Sequence, residues 1–354
     1  MKRPIHVAIL GASGYGAGEL LRLFTQHPEV EVVSATSTSQ VGQPLAQLHP
    51  HLRGFYDLRT TAAVDFEQLL AGEYAVVFSA LPRGASGSAL DALLSTVQRV
   101  PGQDRLRVID LSGDLRLTDA GQHARHYPNT PLLPERRRMF VYGLPELFRA
   151  QIRTARCITN PGCLASAAIL AAAPLVSGGY VGPLAIDAKT GSSGAGRQLK
   201  ETTHHPTRHA DFRAYEPLSH QHEPEIRQAL GDPTGARIQT SFIAQSMDTA
   251  RGIFLTLHAT LPEPLDTAAL HRRYTAFYAE SPFVRIIAGS PALQNVVGSN
   301  FCDIGLAVRD RQVIVMAAID NLVKGMAGTA IQNLNLMCGL PETTGLWVPA
   351  LRPV

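Results

Sequence analysis

Charged residues are scarce in this sequence. They make up 17% of its 354 residues, and hydrophobic residues make up 45%. A typical soluble domain has about a quarter of its residues charged, so this composition excludes a disordered or strongly solvating chain. The net charge of +3 is spread along the chain, and its one dense basic cluster is Arg136-Arg137-Arg138. We interpret that cluster as a solvated loop and expect no nucleic-acid partner.

Cysteines and long apolar runs are scarce as well. The four cysteines, Cys157, Cys163, Cys302 and Cys338, form neither a C-x-x-C pair nor a zinc-binding spacing. In a chain of this length they favour reduced thiols in the cytoplasm. No window approaches the roughly 18 continuous apolar residues that a membrane span needs. The first residues also lack the apolar core of a signal peptide, so we expect no membrane association.

A glycine-rich turn follows the first predicted strand. Residues 6–10 form a short apolar run, and Gly11-Ala12-Ser13-Gly14-Tyr15-Gly16 leads from it into a helical segment. Glycines let such a turn close tightly and bring backbone N–H groups to the pyrophosphate of a dinucleotide. The spacing differs from the common G-x-G-x-x-G, and an ordinary strand-to-helix loop is the alternative.

The second predicted strand, residues 30–35, ends without a carboxylate. In NAD-binding folds an acidic residue near this position bonds the ribose 2′-hydroxyl. Here the strand end reads Thr36-Ser37-Thr38-Ser39. Hydroxyl groups tolerate a 2′-phosphate that a carboxylate would repel, so the sequence favours NADP over NAD.

The arrangement of predicted strands indicates two domains. Strands at 75–80 and 106–111 alternate with helices, which predicts a doubly wound parallel sheet of the Rossmann type. After residue 163, predicted strands at 185–189, 237–243, 252–259 and 312–319 have few helices between them. This pattern predicts an α+β domain with a mostly antiparallel sheet. Residues 121–146 are interpreted as a loop. Helical character returns in residues 320–337, with Asp320 and Asn321 as capping residues.

Cys163 is the first candidate for chemistry. Asn160-Pro161-Gly162 has the composition of a turn, and Cys163 opens the alanine-rich helical run behind it. Unpaired N–H groups and the positive end of the helix dipole stabilise a thiolate, which is the nucleophilic form. The alternative is a small buried thiol that packs the start of the helix.

Histidines cluster in one region of the chain. They are His204, His205, His209, His220 and His222. A metal site is the less favoured interpretation, since there is no H-E-x-x-H and no third ligand at a usual interval. Histidine titrates near neutral pH, and His222 at an apparent helix start is the best-placed acid or base for a cysteine enzyme.

A second loop rich in glycine and serine follows a predicted strand. It reads Lys189-Thr190-Gly191-Ser192-Ser193-Gly194-Ala195-Gly196-Arg197. Its N–H groups and hydroxyls are suited to hold an anion such as phosphate. A flexible connector is the alternative.

These residues together resemble the N-acetyl-gamma-glutamyl-phosphate reductase family, which is related to aspartate-semialdehyde dehydrogenase. The similarity runs nearly end to end. Besides the glycine turn, Asn160-Pro161-Gly162-Cys163 and the 190–197 loop, it is carried by Asp110-Leu111-Ser112-Gly113-Asp114-Leu115-Arg116-Leu117, Tyr142-Gly143-Leu144-Pro145-Glu146-Leu147, His220-Gln221-His222-Glu223-Pro224-Glu225-Ile226, Arg251-Gly252-Ile253 and Asp320-Asn321-Leu322-Val323-Lys324-Gly325.

The resemblance implies a fold, an activity and a set of site residues. The fold is semialdehyde dehydrogenase-like, with an NADP-binding Rossmann domain at 1–157 and 320–354 and a catalytic and dimerisation domain at 158–319. The activity is NADPH-dependent reduction of an acyl phosphate through a thioester on Cys163, with His222 as acid and base. A homodimer or homotetramer is expected. The implied cofactor contacts are Gly11, Ser13, Gly14, Tyr15, Gly16, Ser37, Thr38, Ser192, Gly194 and Asn321, and the candidate substrate contacts are Arg116, Asn160, Arg197 and Arg208.

Several positions leave the substrate open. The family often has His where Arg83 stands and Arg where Gln221 stands. Thr203-His204-His205-Pro206 and the tail at 339–346 resemble the lysine-biosynthesis branch, whose enzyme acts on an aminoadipyl phosphate carried by a small carrier protein. That carrier-linked reductase is one alternative. A non-catalytic regulator that uses only the glycine turn to bind a dinucleotide is another.

Overall fold

The computed structural model describes residues 3–232, 235 and 237–353. The strands are β1 (Ile5–Leu10), β2 (Val30–Thr36), β3 (Ala75–Ser79), β4 (Leu106–Asp110), β5 (Phe140–Tyr142), β6 (Cys157–Thr159), β7 (Leu184–Thr190), β8 (Arg213–Tyr215), β9 (Thr240–Ser246), β10 (Ile253–Thr260), β11 (Val284–Ile287), β12 (Cys302–Arg309) and β13 (Gln312–Ile319). The α-helices are α1 (Tyr15–Phe24), α2 (Leu45–Leu48), α3 (Phe66–Leu70), α4 (Ser86–Val97), α5 (Ala120–His126), α6 (Pro134–Arg138), α7 (Pro145–Thr154), α8 (Cys163–Ser177), α9 (His205–Arg208), α10 (His222–Ala229), α11 (Thr267–Phe277) and α12 (Gly328–Met337).

The chain forms two compact units. The first unit contains residues 3–116, 127–161 and 327–346. The second contains residues 117–126, the described residues between 162 and 326, and residues 347–353. The domain boundaries expected from the sequence stay a prediction, because compact units of a chain need not coincide with its functional domains.

The first unit is built on a parallel sheet. Its six strands lie in the order β2-β1-β3-β4-β6-β5, and every neighbouring pair is parallel. All residues of β3 are buried, as expected for a central strand covered on both faces. The order reverses between β1 and β3, and ligands of such sheets bind at the carboxyl ends of the strands at this switch point. The glycine turn therefore lies at the end of β1 where a dinucleotide site is expected.

The second unit is built on a mixed sheet that is mostly antiparallel. Its order is β11-β12-β13-β10-β7-β9-β8, and only the pairs β11–β12 and β7–β9 are parallel within the described residues. Burial alternates along β10, because successive side chains point to opposite faces. The alanine-rich helix α8 packs on one face against β7, β10 and β13. The small side chains of α8 let it lie close to the sheet, and every residue from Leu164 to Leu175 is buried.

Two expectations about residues 121–146 were wrong. The segment is not a loop, since it includes most of α5, all of α6 and β5, and the start of α7. These elements are too short to show the hydrophobic periodicity from which a helix or strand is predicted. The arginine cluster is not a solvated loop either, because it lies in α6, Arg137 is buried, and Arg136 pairs with Asp91 at 2.6 Å.

The segment between β13 and α12 is less regular than predicted. Helical structure starts with a π-helical turn at Val323–Ala327, and α12 follows. Asp320 caps this turn as expected, since its Oδ1 accepts hydrogen bonds from the N–H groups of Leu322 and Val323. The side chain of Asn321 has other partners, described below. The predicted strand at 237–243 begins three residues later than expected, at Thr240.

Candidate active site

Cys163 is the first residue of α8 in the second unit. Gly162 precedes it as the helix N-cap in an extended conformation, and its carbonyl accepts the N–H of Ser166 at 2.8 Å. The Cys163 side chain is half-buried, unlike the buried Cys302 of the same unit. The thiol therefore stands where the sequence predicts it, at the positive end of a 15-residue helix.

His222 lies directly against Gly162. A β-carbon on Gly162 would stand 2.6 Å from Cδ2 and 2.7 Å from Cε1 of the imidazole, so any larger residue here would displace the ring. The His222 ring is buried, and its backbone N–H donates to Nδ1 of His220 at 3.1 Å. The structure thus brings the imidazole into contact with the residue that precedes the candidate nucleophile.

Glu225 links α10 to the start of α8 by a hydrogen bond. Its carboxylate is fully buried, and Oε1 accepts the N–H of Gly162 at 2.6 Å. Glu225 is three residues beyond His222 in α10, so both side chains point to the same face of that helix. The sequence analysis did not assign this role to Glu225, because its three-residue spacing from His222 predicts a shared helix face but not the contact with Gly162.

A backbone turn at Gly325 packs closely against Cys163. A β-carbon on Gly325 would stand 2.7 Å from Cβ of Cys163. Asp320, fully buried, anchors this turn, since its carbonyl accepts the N–H of Gly325 at 2.8 Å, and its Oδ2 accepts the N–H of Gly298 at 2.7 Å and pairs with Arg251 at 3.1 Å. The Cys163 side chain therefore packs against Gly325, while Gly162 before it packs against His222.

The side chain of Asn321 contacts the second glycine-rich loop, residues 189–197. Its Oδ1 accepts the N–H of Gly252 at 2.8 Å, and its Nδ2 donates to Oγ of Ser193 at 2.9 Å. Nδ2 also lies 3.9 Å from the place of a β-carbon on Gly194. Ser192 is held close by, because its N–H donates to the carbonyl of Thr249 at 2.9 Å. The predicted cofactor contacts Ser192, Gly194 and Asn321 are therefore grouped.

Arg208 shares an electrostatic environment with Cys163. Burial raises the pKa of Tyr215, the negative charge of Cys163 raises it further, and the charge of Arg208 opposes this rise. Arg208 is itself buried and donates to Oγ of Ser246. Arg197, in contrast, lies in an exposed stretch of the loop. Tyr215 was not singled out from the sequence, and its three-residue strand gave no signal.

In the first unit, the glycine turn has the shape of a nucleotide cradle. Gly11 has a φ of +80°, and a β-carbon there would stand 2.9 Å from the carbonyl oxygen of Ala80 at the end of β3. Gly14 caps α1, which has Tyr15 and Gly16 in its first turn. Because α1 presents its N-terminal N–H groups at this turn, the residues present fit the pyrophosphate of a dinucleotide.

The residues after β2 also fit the expectation of NADP. Ser37 is buried, and its hydroxyl oxygen accepts the N–H of Gln40 at 3.2 Å. Thr38 is exposed. The described loop from Ser37 to Gln43 carries no carboxylate that would repel a 2′-phosphate.

Arg116 and Asn160 form one buried cluster in the first unit. Nε of Arg116 donates to the carbonyl of Asn160 at 2.8 Å, and Nη2 donates to the carbonyl of Leu111 at 3.0 Å. Oδ1 of Asn160 accepts Nδ2 of Asn333 at 3.1 Å. Both candidate substrate contacts therefore also serve the packing of their unit.

Family models match both parts of the chain. Residues 6–155 match the semialdehyde dehydrogenase NAD binding domain, and residues 163–321 match the semialdehyde dehydrogenase dimerisation domain. A protein of Symbiobacterium thermophilum named N-acetyl-gamma-glutamyl-phosphate reductase is 45% identical over 97% of both chains. The chain belongs to the N-acetyl-gamma-glutamyl-phosphate reductase family.

Two further relatives carry the family name. The Moorella thermoacetica protein is 41% identical over 99% of this chain and all of its own, and the Methanosarcina acetivorans protein is 42% identical over 98% and 99%. Among solved structures, a probable aspartate-semialdehyde dehydrogenase from Pseudomonas aeruginosa has a TM-score of 0.68 at 17% identity, over 95% of this chain and 99% of its own. The enzyme from Candida albicans, solved with NADP, has a TM-score of 0.64 at 14% identity, over 95% and 98%. At these identities the two structures show the fold, which agrees with the semialdehyde dehydrogenase-like fold predicted from the sequence.

The described part of the chain contains no metal-binding cluster and no membrane-spanning helix. Within the described ranges, no group of three His, Cys, Asp or Glu side chains is arranged to hold a metal ion, the histidines between 204 and 222 included. None of the described helices combines the length and the hydropathy needed to cross a bilayer.

Proposed function

We propose that this protein uses NADPH to reduce N-acetyl-γ-glutamyl phosphate to N-acetylglutamate semialdehyde and phosphate, a step of arginine biosynthesis. The observation that carries the proposal is the contact of His222 with Gly162, which places an acid/base group beside the residue that precedes a helix-initiating cysteine. The names of the relatives support this substrate over the carrier-linked aminoadipyl phosphate.

The chemistry proceeds through Cys163. Its thiolate attacks the carbonyl carbon of the acyl phosphate, the C–O bond to phosphate breaks with its electron pair, and a thioester forms on the sulfur. When bound, NADPH supplies the hydride that reduces this acyl group. A thioester carbonyl is more electrophilic than a carboxylate, which is why the acyl group is moved to sulfur first.

His222 moves the protons of this reaction. It donates a proton to the developing oxyanion and accepts it again when the C–S bond of the intermediate breaks, which releases the semialdehyde and restores the Cys163 thiolate. The backbone N–H groups in the first turn of α8 are suited to stabilise the same oxyanion. Glu225 holds Gly162 at the start of that turn and so keeps these groups in register with His222.

The candidate anion contacts divide between the cofactor and the substrate. Gly11, Ser13, Gly14, Tyr15 and Gly16 would hold the pyrophosphate of NADPH, and Ser37 and Thr38 its 2′-phosphate. Ser192, Gly194 and Asn321 are proposed to contact the cofactor as well. Arg208 is the foremost candidate for a substrate contact, because it is a buried arginine in the same unit as Cys163. Arg116, Asn160 and Arg197 are the remaining candidates.

We further infer a cytoplasmic homodimer or homotetramer. The matched domain at 163–321 is a dimerisation domain by its description. In the second unit, the sheet face opposite α8 is the face proposed to meet a partner subunit. It carries the ion pair of Lys189 and Asp187 at 2.9 Å, and both side chains are partly exposed. Sedimentation velocity of the purified protein would give the oligomeric state, and a monomer at micromolar concentration would contradict this inference.

The test of function is phosphate-dependent reduction of NADP⁺, followed at 340 nm in the reverse direction. N-acetylglutamate semialdehyde is compared with the one-carbon-longer aminoadipate semialdehyde attached to a carrier protein. Activity with the first substrate alone supports the proposal. Activity with the carrier-linked substrate alone would assign the protein to the lysine-pathway reaction, and no activity with either would refute a reductase of this class.

A further inference from the structure

His49 is wedged between the glycine turn and α1 in the first unit. The residue is buried, and its Nε2 lies 2.7 Å from the carbonyl oxygen of Ala12. On its other edge, a β-carbon on Gly18 would stand 2.7 Å from Nδ1 and 2.8 Å from Cε1. A carbonyl oxygen only accepts hydrogen bonds, so Nε2 carries a proton and donates it to Ala12.

This hydrogen bond sets the orientation of one peptide group in the turn. In a trans peptide the C=O and N–H bonds point in opposite directions. Because the carbonyl of Ala12 points at His49, the N–H of Ser13 points away from it. The N–H groups of Gly11 and Ala12 are used within the fold, since both donate to the carbonyl of Thr36 at 3.1 and 2.8 Å.

The orientation matters for an anion at this turn. N–H groups at the start of a helix attract a phosphate, whereas a carbonyl oxygen turned toward it would repel it. The first hydrogen bond within α1 is made by the N–H of Gly18 to the carbonyl of Gly14 at 3.0 Å. The N–H groups before it in the chain, from Ser13 to Ala17, lie in the stretch where the pyrophosphate is expected, and that of Gly14 donates to the carbonyl of Gly11 at 3.4 Å.

We propose that His49 is a positioning residue for the pyrophosphate of the dinucleotide. It holds the carbonyl of Ala12 away from the anion and thereby orients the N–H of Ser13 in the turn. The inference rests on the proposed function in one respect, namely that the Gly11–Gly16 turn binds NADP. It adds a histidine 37 residues from its partner that does not belong to the glycine motif.

The test measures binding and does not require turnover. The variants are His49→Phe, which keeps a ring but removes the donor, and His49→Gln, whose amide N–H replaces Nε2–H. His49→Ala serves as a smaller variant if the phenylalanine does not fit. His51→Phe is the control, because His51 is exposed and its ring centroid is 5.9 Å from that of His49. Dissociation constants are measured by calorimetry for NADPH, NADH and 2′-AMP, which has a 2′-phosphate but no pyrophosphate.

We expect His49→Phe and His49→Ala to weaken the binding of NADPH and of NADH by the same factor of about ten, which is the change in dissociation constant that the loss of one hydrogen bond causes. Binding of 2′-AMP should not change, His49→Gln should recover most of the affinity, and His51→Phe should match the wild type. Equal NADPH affinity in wild type and folded His49→Phe or His49→Ala would overturn the inference, as would an equal loss for 2′-AMP. If the wild type binds none of the three nucleotides, the proposed function falls together with the inference.

Discussion

The imidazole of His222 lies on the α-carbon of Gly162, so close that a β-carbon would stand 2.6 Å from Cδ2. The N–H of the same glycine donates to Glu225, one turn further along α10. Gly162 is thus held by two side chains of one helix immediately before Cys163. The residue before Cys163 is therefore attached to the first turn of α10.

Gly162→Ala should therefore uncouple the two helices. The new methyl group displaces the His222 ring, and a shift of about 1 Å in a catalytic group lowers kcat by about ten- to a hundredfold. The dissociation constant of NADPH should not change. Steady-state kinetics of the phosphate-dependent reaction give both values. Gly121→Ala is the matched control, because a β-carbon there meets only Oδ1 of Asp119 at 3.2 Å. An unaltered kcat in Gly162→Ala would show that the contact does not serve catalysis.

Cys163→Ser should abolish turnover and leave NADPH binding intact. A serine hydroxyl at the start of α8 is not ionised near neutral pH, so no acyl-enzyme forms. The wild type, mixed with acyl phosphate in the absence of NADPH, should release a burst of phosphate in a molar amount equal to that of the enzyme. The variant should release none. Substantial activity in the variant would remove Cys163 from the mechanism.

His222→Asn should lower kcat by about 10²–10⁴-fold, the usual effect of losing one positioned acid or base. Asparagine is smaller than histidine and introduces no clash with Gly162. The kinetic profile against pH should also lose the limb that belongs to the histidine. A loss below tenfold, with both limbs retained, would assign proton transfer to another group.

Thr38→Asp should reverse part of the preference for NADPH over NADH. A carboxylate in the loop after β2 repels a 2′-phosphate and is suited to bond a 2′-hydroxyl. We expect NADPH binding to weaken by more than about tenfold while NADH binding is kept or improved. Thr38→Asn, which has the same shape without the charge, is the control. Parallel weakening of both cofactors in Thr38→Asp would place the 2′-phosphate elsewhere.

Iodoacetamide should distinguish Cys163 from Cys157 at pH 8. Burial raises the pKa of Cys157 to about 11, so this thiol stays protonated at pH 8 and becomes a thiolate only at much higher pH. Thiolates are the species that react. Peptide mass spectrometry should find the label on Cys163 first. Faster labelling of Cys157 in the folded protein would contradict the burial described for β6.

Much of the fold follows from local sequence patterns. The apolar run before Gly11 predicts β1, the alanine run after Cys163 predicts α8, and the residues of β13 are predicted to their ends. These predictions succeed because a strand or helix with a strong apolar pattern is favoured by neighbours along the chain. The short elements between 121 and 146 lack such a pattern, and packing decides them.

The sequence by itself determined that a cysteine begins a helix, that a histidine begins another, and that glycines end the first strand. Tertiary structure alone decided which groups these residues meet. Glu225 reaches Gly162 across 63 residues and His49 reaches Ala12 across 37, and no local spacing encodes either contact. The physical reason is that propensity and periodicity act over a few residues, whereas the contacts of buried polar groups depend on how whole elements pack.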